Sequence, residues 1–316
     1  MMVDFTVAIP TYNGEHRLPE VLERLKSQLE TDSMTWEVLV IDNNSQDKTA
    51  AVVQAFQADF PCPLRYCLEQ RQGAGHARQR AVREANSELI GFLDDDNLPD
   101  LRWVSAAYQF GRAQPQIGAY GSQITGAFEV EPPPHFKRIA PFLAIVERGT
   151  QPHLYEPRKK MLPPSAGLVI RKQAWLMSVP TETLMNRLGV KRSDGNDCSE
   201  DIEALSYLRL AGWEIWHNPA MQIQHKIPAW RLERAYLLPL FRSIGLSRCA
   251  TRMVNFKAGW RFLVIAHLPS DLQKIVLHWL KNRSRLRTDL VAACELELYL
   301  GIFMSPFHLL SRIFQF

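Results

Sequence analysis

The chain has 316 residues, 46% hydrophobic and 22% charged, fractions that exclude a disordered or collagen-like chain and fit one large α/β domain with or without an extension. Its net charge of +4 is unevenly placed: residues 226–316 hold 14 Lys/Arg against 5 Asp/Glu, and the first 225 hold 23 against 28. A basic tail implies a charged partner, and because this one is rich in Leu, Ile, Phe and Trp, an anionic membrane surface suits it better than nucleic acid.

In chain order, "FTVAIPTYN" (5–13) reads as a buried strand that ends in a loop. Its continuous apolar run suits a strand covered on both faces. "RLPEVLERLKSQL" (17–29) has Leu18, Val21, Leu22, Leu25 and Leu29 at helical spacing. "WEVLVIDNNS" (36–45) is a second strand, "DKTAAVVQAFQADF" (47–60) a helix and "LRYCLEQ" (64–70) a third strand. "GAGHARQRAVREANS" (73–87) is a helix opened by glycines, and "ELIGFLDDDN" (88–97) a fourth strand. This alternation predicts a mostly parallel sheet flanked by helices.

The middle of the chain is mixed. "WVSAAYQFGRA" is helical, "GAYGSQITGAFEV" alternates like a strand leading into an edge hairpin, and "EPPPHF" breaks regular structure. "SAGLVIRKQAW" is a strand running into a helix. "DIEALSYLRLAG" is a helix stopped by Gly212, and "WEIWHNPAMQIQH" gives one or two short strands. Beyond about residue 228 the pattern is helical and amphipathic, which divides the chain into residues 1–228 and an extension over 229–316. No window holds 18 uninterrupted apolar residues, so no spanning helix is expected. "MMVDFTVAIP" passes straight into a strand without the pattern of a signal peptide. The five cysteines, Cys62, Cys67, Cys198, Cys249 and Cys294, lack paired metal-ligand spacing. They are expected as free thiols in a reducing compartment, hence a cytoplasmic protein.

Ligands of such sheets bind outside the carboxyl ends of the strands. Thr11-Tyr12-Asn13, Asp42-Asn43-Asn44 and Asp94-Asp95-Asp96 all fall there. An acidic triplet at a strand end is either a solvated turn or a site whose repulsion a cation offsets. Mg²⁺ or Mn²⁺ is the natural choice, shared with the phosphates of a ligand. Arg71, Arg78 and Lys48 are candidate electrostatic partners, with Lys48 read as a solvated side chain. Gly73 and Gly75 open a helix whose N–H groups either face an anion or simply make a turn. They complete neither a dinucleotide fingerprint nor a P-loop. Asp42 either caps the following turn or binds a base or ribose.

In "CSEDIEAL" Ser199 reads as a helix N-cap, with Glu200 and Asp201 in a first turn where the dipole favours carboxylates. That alone accounts for both acids, and a base there requires a desolvated pocket or a neighbouring carboxylate. His225, where an alternating stretch ends, is either structural or a ligand. "GLS" (245–247), flanked by Arg242 and Arg248, either binds phosphate or solvates a helix face. A hydrolase triad lacks its G-x-S-x-G.

"VAIPTYN", "VIDNNSQDKT", "GAGHARQRAV", "GFLDDDNLPD" and "SEDIEAL" occur in the order and spacing of family 2 glycosyltransferases. The resemblance covers about residues 3–228. "GAYGSQITGAFEV", "PFLAIVERG" and "AGWEIWHNPAMQIQHKIPAWRLE" further resemble the hormogonium polysaccharide biosynthesis glycosyltransferases. The family resemblance implies a GT-A fold with a nucleotide-diphospho-sugar site. Pro10, Thr11, Tyr12, Asp42, Arg78, Asp94 and Asp95 would bind the donor nucleotide, and Gly167 would lie in the loop that accommodates sugar and acceptor. Asp96 would hold the metal with His225, and Asp201, with Glu200 beside it, would be the catalytic base. Where the family often has Gly before Glu-Asp, this chain has Ser199, which narrows the acceptor cleft.

The implied reaction is inverting transfer from a UDP-sugar to a saccharide or lipid-linked acceptor in exopolysaccharide synthesis. It requires Mg²⁺ or Mn²⁺ and no nucleic acid, and takes place in the cytoplasm or at the inner face of the membrane. The rival readings are a nucleotidylyltransferase and a non-catalytic sugar-nucleotide scaffold. For residues 229–316, membrane contact stands against a helical cap or an oligomer interface.

Overall fold

The computed structural model describes residues 2–156, 162–183, 199–256 and 260–313. Cys198 lies outside them. The opening half alternates as expected: β1 (Phe5–Thr11), α1 (Leu18–Lys26), β2 (Trp36–Asp42), α2 (Thr49–Gln57), β3 (Leu64–Leu68), α3 (Ala74–Glu84) and β4 (Leu89–Phe92). Then follow β5 (Asn97–Pro99), α4 (Trp103–Ala113), β6 (Ile117–Phe128), β7 (His153–Leu154), β8 (Val169–Arg171) and α5 (Lys172–Ser178). The rest comprises α6 (Glu200–Leu210), β9 (Glu214–Ile227), α7 (Arg234–Leu246), α8 (Arg248–Phe256), α9 (Trp260–Asn282) and α10 (Leu290–Ile313).

The described strands form one nine-stranded sheet in the order β3-β2-β1-β4-β8-β6-β9-β5, with β7 also paired to β9. β3, β2, β1 and β4 run parallel. The polarity reverses after β4, which pairs antiparallel with β8. Every residue of β2 is buried, and β1 is buried apart from Pro10. That is why both read as unbroken apolar runs. β3, at the sheet edge, alternates instead. In α1 the side chains of Leu18, Val21, Leu22 and Leu25 are buried, as their spacing predicts. Phe5 and Trp103 meet edge to face, with ring centroids 6.1 Å apart, at the centre of the core. Each such side chain contributes about 1.5–3 kcal/mol by leaving water.

Three elements differ from expectation. β6 is an interior strand between β8 and β9, not the start of an edge hairpin. β9 is one strand of 14 residues despite Pro219. β7 is paired at Trp216 and His217 and β5 at Ile223–His225, so Pro219, which cannot donate to a ladder, falls between the two partnered segments. The stretch Leu290–Ser311 is long and apolar enough to cross a membrane by length and composition. An averaged hydropathy tolerates Glu295 and Glu297, which interrupt the apolar run.

The chain divides into two compact units. Met1–Ala127, Ala144–Thr181 and Tyr207–Lys226 form the first; Phe128–Leu143, Glu182–Ser206 and Ile227–Phe316 form the second. Residues 128–143 and 182–206 therefore group with the tail, and no single cut at 228 separates the units. Within the second unit α7 packs closely on α10. A Cβ added at Gly301 would lie 2.4 Å from the Arg242 carbonyl oxygen, so the backbones approach to a distance only glycine permits. Arg242 also donates to Glu297 at 2.6 Å across this pair.

Candidate active site

The first unit assembles its polar residues at the carboxyl edge of β1, β2 and β4. Thr11 and Asp42, the last residues of β1 and β2, are partners in the parallel ladder. The loops beyond them are joined strand to strand. The Asn13 and Gly14 N–H groups donate to Ser45 and Thr49 hydroxyls at 2.9 Å, and the Gln46 N–H donates to the Asn13 side chain at 2.8 Å. A loop whose amides are already bonded is fixed before any ligand arrives. Pro10 is partly buried on β1, while Tyr12 is 40% exposed with its ring on the surface of this loop.

Asp42 is buried, and both of its oxygens are engaged. Oδ1 accepts the Ser45 N–H at 2.8 Å, and Oδ2 accepts the Tyr66 hydroxyl at 2.8 Å. The turn-capping reading is therefore met, and each oxygen retains a second lone pair for a ligand donor. Burial, and then the Asp42 carboxylate, push the Tyr66 phenol up to about 12, so it stays a donor at neutral pH. Asn43, also buried, ties this strand end to the start of α3. Its amide donates to the carbonyls of Glu69 and Arg71 at 3.2 and 2.7 Å, and its oxygen accepts the Gly73 N–H at 2.7 Å. The Gly73 amide is thus already taken. Lys48 is exposed, as its solvated reading requires.

The three consecutive acids have three different environments. Asp95 is buried and grips Arg17 with both oxygens, Oδ1 to Nε at 2.8 Å and Oδ2 to an Nη at 2.9 Å, while Thr11 donates to Oδ2 at 2.6 Å. It acts as a clamp between strand ends. Asp94 lies 3.6 Å from the guanidinium of Arg78, which donates to Ser165 at 2.7 Å. Burial pushes the Asp94 carboxyl up, and the charges of Asp96 and Asp95 add to this, while Arg78 and His225 act in the opposite sense. Asp96 Oδ1 accepts the Asn97 amide at 3.1 Å, and Oδ2 lies 3.5 Å from Nε2 of His225.

Among the described residues no three His, Cys, Asp or Glu side chains form a closed metal cage. The Asp96–His225 pair nevertheless fits a shared ion. Two ligands of one octahedral ion, each at about 2.1 Å, lie roughly 3 Å apart. A site with two protein donors leaves coordination positions for water and substrate phosphates, the usual arrangement for Mg²⁺ and its relatives. The raised Asp94 carboxyl marks an electrostatic cost that a cation would offset.

Gly167 has φ +64°, and a Cβ there would meet Ile223 Cδ1 at 2.2 Å and Ser122 Oγ at 2.5 Å. Its carbonyl accepts the Ser122 hydroxyl at 2.7 Å. The glycine shapes the turn that leads from Ser165, the partner of Arg78, into β8.

The first unit therefore holds Pro10, Thr11, Tyr12, Asp42, Arg78, Asp94, Asp95, Asp96, Gly167 and His225. Glu200 and Asp201 belong to the second, in the first turn of α6, where Asp201 Oδ1 accepts the Ile202 N–H at 2.8 Å. Ser199 before them has φ +64° rather than the extended backbone expected of an N-cap, and its hydroxyl lies 2.8 Å from that of Ser247. Positive φ is a conformation that glycine adopts without strain, so a glycine would fit this point.

Sequence reasoning missed Arg17, Tyr66, Ser165 and Asn97. Arg17 alone left a signal. A cation at a helix N-terminus opposes the dipole, so its place there implies a carboxylate partner elsewhere.

Residues 6–179, more than half of the chain, match glycosyl transferase family 2. Over 93 residues the chain is 40% identical to YfnE of Bacillus subtilis, an uncharacterized glycosyltransferase; the match spans 29% of this chain and 23% of that protein. In the curated relatives it matches, the shared segment spans less than a third of their length. The solved mannosyltransferase PcManGT of Pyrobaculum calidifontis, in complex with GDP-Man and Mn²⁺, superposes with a TM-score of 0.59 at 18% identity, over 97% of this chain and 88% of that one. S. aureus TarS 1–349 with UDP-GlcNAc gives 0.54 at 14% identity, over 97% and 92%. These likenesses are of fold, that of the GT-A glycosyltransferases. The family match takes in β1 to β4 and the rim they build, and the chain belongs to glycosyl transferase family 2.

Proposed function

We propose that the chain transfers a glycosyl group from a nucleoside-diphosphate sugar, with a UDP-sugar as first candidate, to an acceptor hydroxyl with inversion at the anomeric carbon. The observation that carries this reading is the rim cluster of Asp94, Arg78, Asp96 and His225, set with the buried Asp42, which the exposed Tyr66 holds, at the carboxyl edge of the sheet. Tyr12 offers its exposed ring to the base. Asp42, held by Tyr66 and Ser45, takes a base or ribose donor on its remaining lone pairs. Asp94, kept near Arg78, contacts the ribose, and Arg78 approaches the base or diphosphate. Asp96 and His225 hold Mg²⁺ or Mn²⁺, which when bound neutralises charge on the departing diphosphate.

Asp201, assigned by its motif, accepts the proton of the acceptor hydroxyl as that oxygen bonds to the anomeric carbon and the bond to the diphosphate oxygen breaks. Glu200 beside it is the supporting carboxylate. General-base catalysis of this kind contributes roughly 10²–10⁴-fold. The acceptor is a saccharide or lipid-linked hydroxyl, and exopolysaccharide synthesis is the setting that the motif resemblance suggests.

The test is a panel of UDP- and GDP-sugars with Mn²⁺ or Mg²⁺, scoring the released product. Nucleoside diphosphate supports transfer, pyrophosphate indicates a nucleotidylyltransferase, and binding without turnover indicates a scaffold. Asp201→Asn is expected to lose turnover by about 10²-fold or more while keeping nucleotide affinity; near wild-type turnover would remove Asp201 from the role of base.

A second reading concerns the tail, placed peripherally on the inner leaflet. On α9, Leu272, Val276, Trp279 and Leu280 share one face and are 45–53% exposed; on α10, Met304, Phe307 and Leu310 are 44–55% exposed. Apolar faces with basic neighbours suit an anionic bilayer interface. Flotation with anionic liposomes is expected for the full chain, and failure to float with them would reject the reading.

A further inference from the structure

The second unit contains a cavity of about 180 Å³ between the turn at Phe136–Arg138 and the end of α9. Arg138, Lys281 and Arg285 supply three cations to its wall, against one carboxylate, Asp289. His135, His278 and Asn282 complete the lining.

Several of these groups are already oriented. Asn282 is buried, donates to the His278 carbonyl at 3.0 Å and accepts from Arg285 at 3.1 Å. His278 Nε2 lies 2.8 Å from the Ala292 carbonyl, which fixes the ring with that nitrogen as donor. Asp289 is spent largely on the helix, accepting the Ala292 N–H at 2.9 Å. Arg138 pairs with Glu295. The Lys281 ammonium forms no ion pair or hydrogen bond with any described residue, which leaves it available to a ligand.

Against Arg138, Lys281 and Arg285 stand Asp289 and the Arg138-bound Glu295, so the concavity keeps a net positive charge that an anion would offset. Guanidinium forks and an ammonium suit the oxygens of a phosphate group in particular. Size decides the rest. Sites for drug-sized molecules usually measure about 300–1,000 Å³, so this cavity is too small for a nucleotide sugar and suits a single phosphate group.

We propose that this cavity binds a compact phosphate group, either the headgroup phosphate of an anionic lipid or free phosphate. The assignment does not depend on the transfer reaction. The exposed Val276, Leu277, Trp279 and Leu280 on the same helix would give a lipid's chains an apolar surface beside the headgroup.

The experiment uses the full chain with excess nucleoside diphosphate and Mn²⁺, so that the donor site is filled. Inorganic phosphate binding is measured by calorimetry. Capture by phosphatidylcholine vesicles, with and without phosphatidylglycerol, is measured in parallel. The Lys281→Gln/Arg285→Gln variant alters exposed side chains; Lys281→Glu, at a residue with no partner to lose, serves as the second variant. Both are expected to bind phosphate at least roughly tenfold more weakly than wild type, the loss of one or more charge-assisted hydrogen bonds. A parallel fall in capture by phosphatidylglycerol vesicles assigns the lipid source; unchanged capture assigns free phosphate. Undetectable phosphate binding in wild type, or equal affinity in wild type and both variants, overturns the site. So does vesicle capture that falls while phosphate affinity stays constant, because diffuse surface charge would then explain it.

Discussion

Asp96 Oδ2 and His225 Nε2 lie 3.5 Å apart, and backbone pairing sets that distance. Asn97 stands opposite His225 in the β5–β9 ladder, and the Lys226 N–H donates to the Asp96 carbonyl at 3.1 Å. The side chains meet because two strands far apart in sequence are in register. Asp96→Asn and His225→Gln should therefore each weaken nucleoside-diphosphate binding in Mn²⁺ by at least about tenfold, with little change when a chelator has removed the metal. Calorimetric titration with and without Mn²⁺ measures this. Metal-independent affinity in the wild-type chain would refute the pairing as a metal site.

Asp95 separates from its neighbours on the same grounds. Its oxygens hold Arg17 and Thr11, so its first contribution is to the rigidity of the strand ends. Asp95→Asn is expected to destabilise the fold by about 1–2 kcal/mol, a modest figure because Arg17 is half in solvent. Nucleotide affinity should fall less than in Asp96→Asn. Thermal unfolding read beside a nucleotide titration distinguishes the roles. An unchanged melting temperature with lost binding would make Asp95 a direct donor ligand.

Much of this architecture is legible in the residues. β1, β2 and β4 announce themselves as apolar runs ending in Thr11, Asp42 and the acidic triplet, because strands buried on both faces must be continuously apolar. What stayed hidden depends on register and on long-range side-chain partners. Nothing local places Tyr66 on Asp42 or Asn43 on the Gly73 amide, and Asp94, Asp95 and Asp96 look alike until Arg78, Arg17 and His225 differentiate them. β9 ran past Pro219 because tertiary pairing, not propensity, decides where a long strand is interrupted.

Glu37 yields a pH prediction. It is 1% exposed on β2. Burial alone would raise its carboxyl, but the Asn86 N–H and amide, the Thr6 hydroxyl and Arg65 outweigh that, and the group is held below its ordinary 4.5. A depressed carboxyl stabilises the fold above its unfolded value, and the contribution fades as pH falls through the lower folded value. Glu37→Gln should cost about 2–3 kcal/mol at neutral pH, since the new amide sets donors against Asn86 and Arg65. Denaturant midpoints of the two proteins should converge below pH 4.5. A gap independent of pH would show that shape rather than charge makes the contribution.

Ser199 offers the sharpest contrast between two small substitutions. Its φ of +64° is a conformation that costs an L-residue about 1–2 kcal/mol and glycine almost nothing. Its hydroxyl is in contact with Ser247 at 2.8 Å, an interaction that returns about 0.5–1.5 kcal/mol. Ser199→Gly gives up the hydroxyl but relieves the backbone, so stability should change by less than about 1 kcal/mol. Ser199→Ala gives up the hydroxyl and keeps the strain, so it should be the less stable of the two by about 1 kcal/mol. If the side chain also narrows the acceptor cleft, the glycine variant should accept bulkier acceptors, read as a lower KM for larger saccharides at unchanged nucleotide affinity. Chemical denaturation of the two variants decides the first point. Should alanine prove as stable as glycine, the left-handed backbone at 199 would hold no strain for glycine to relieve.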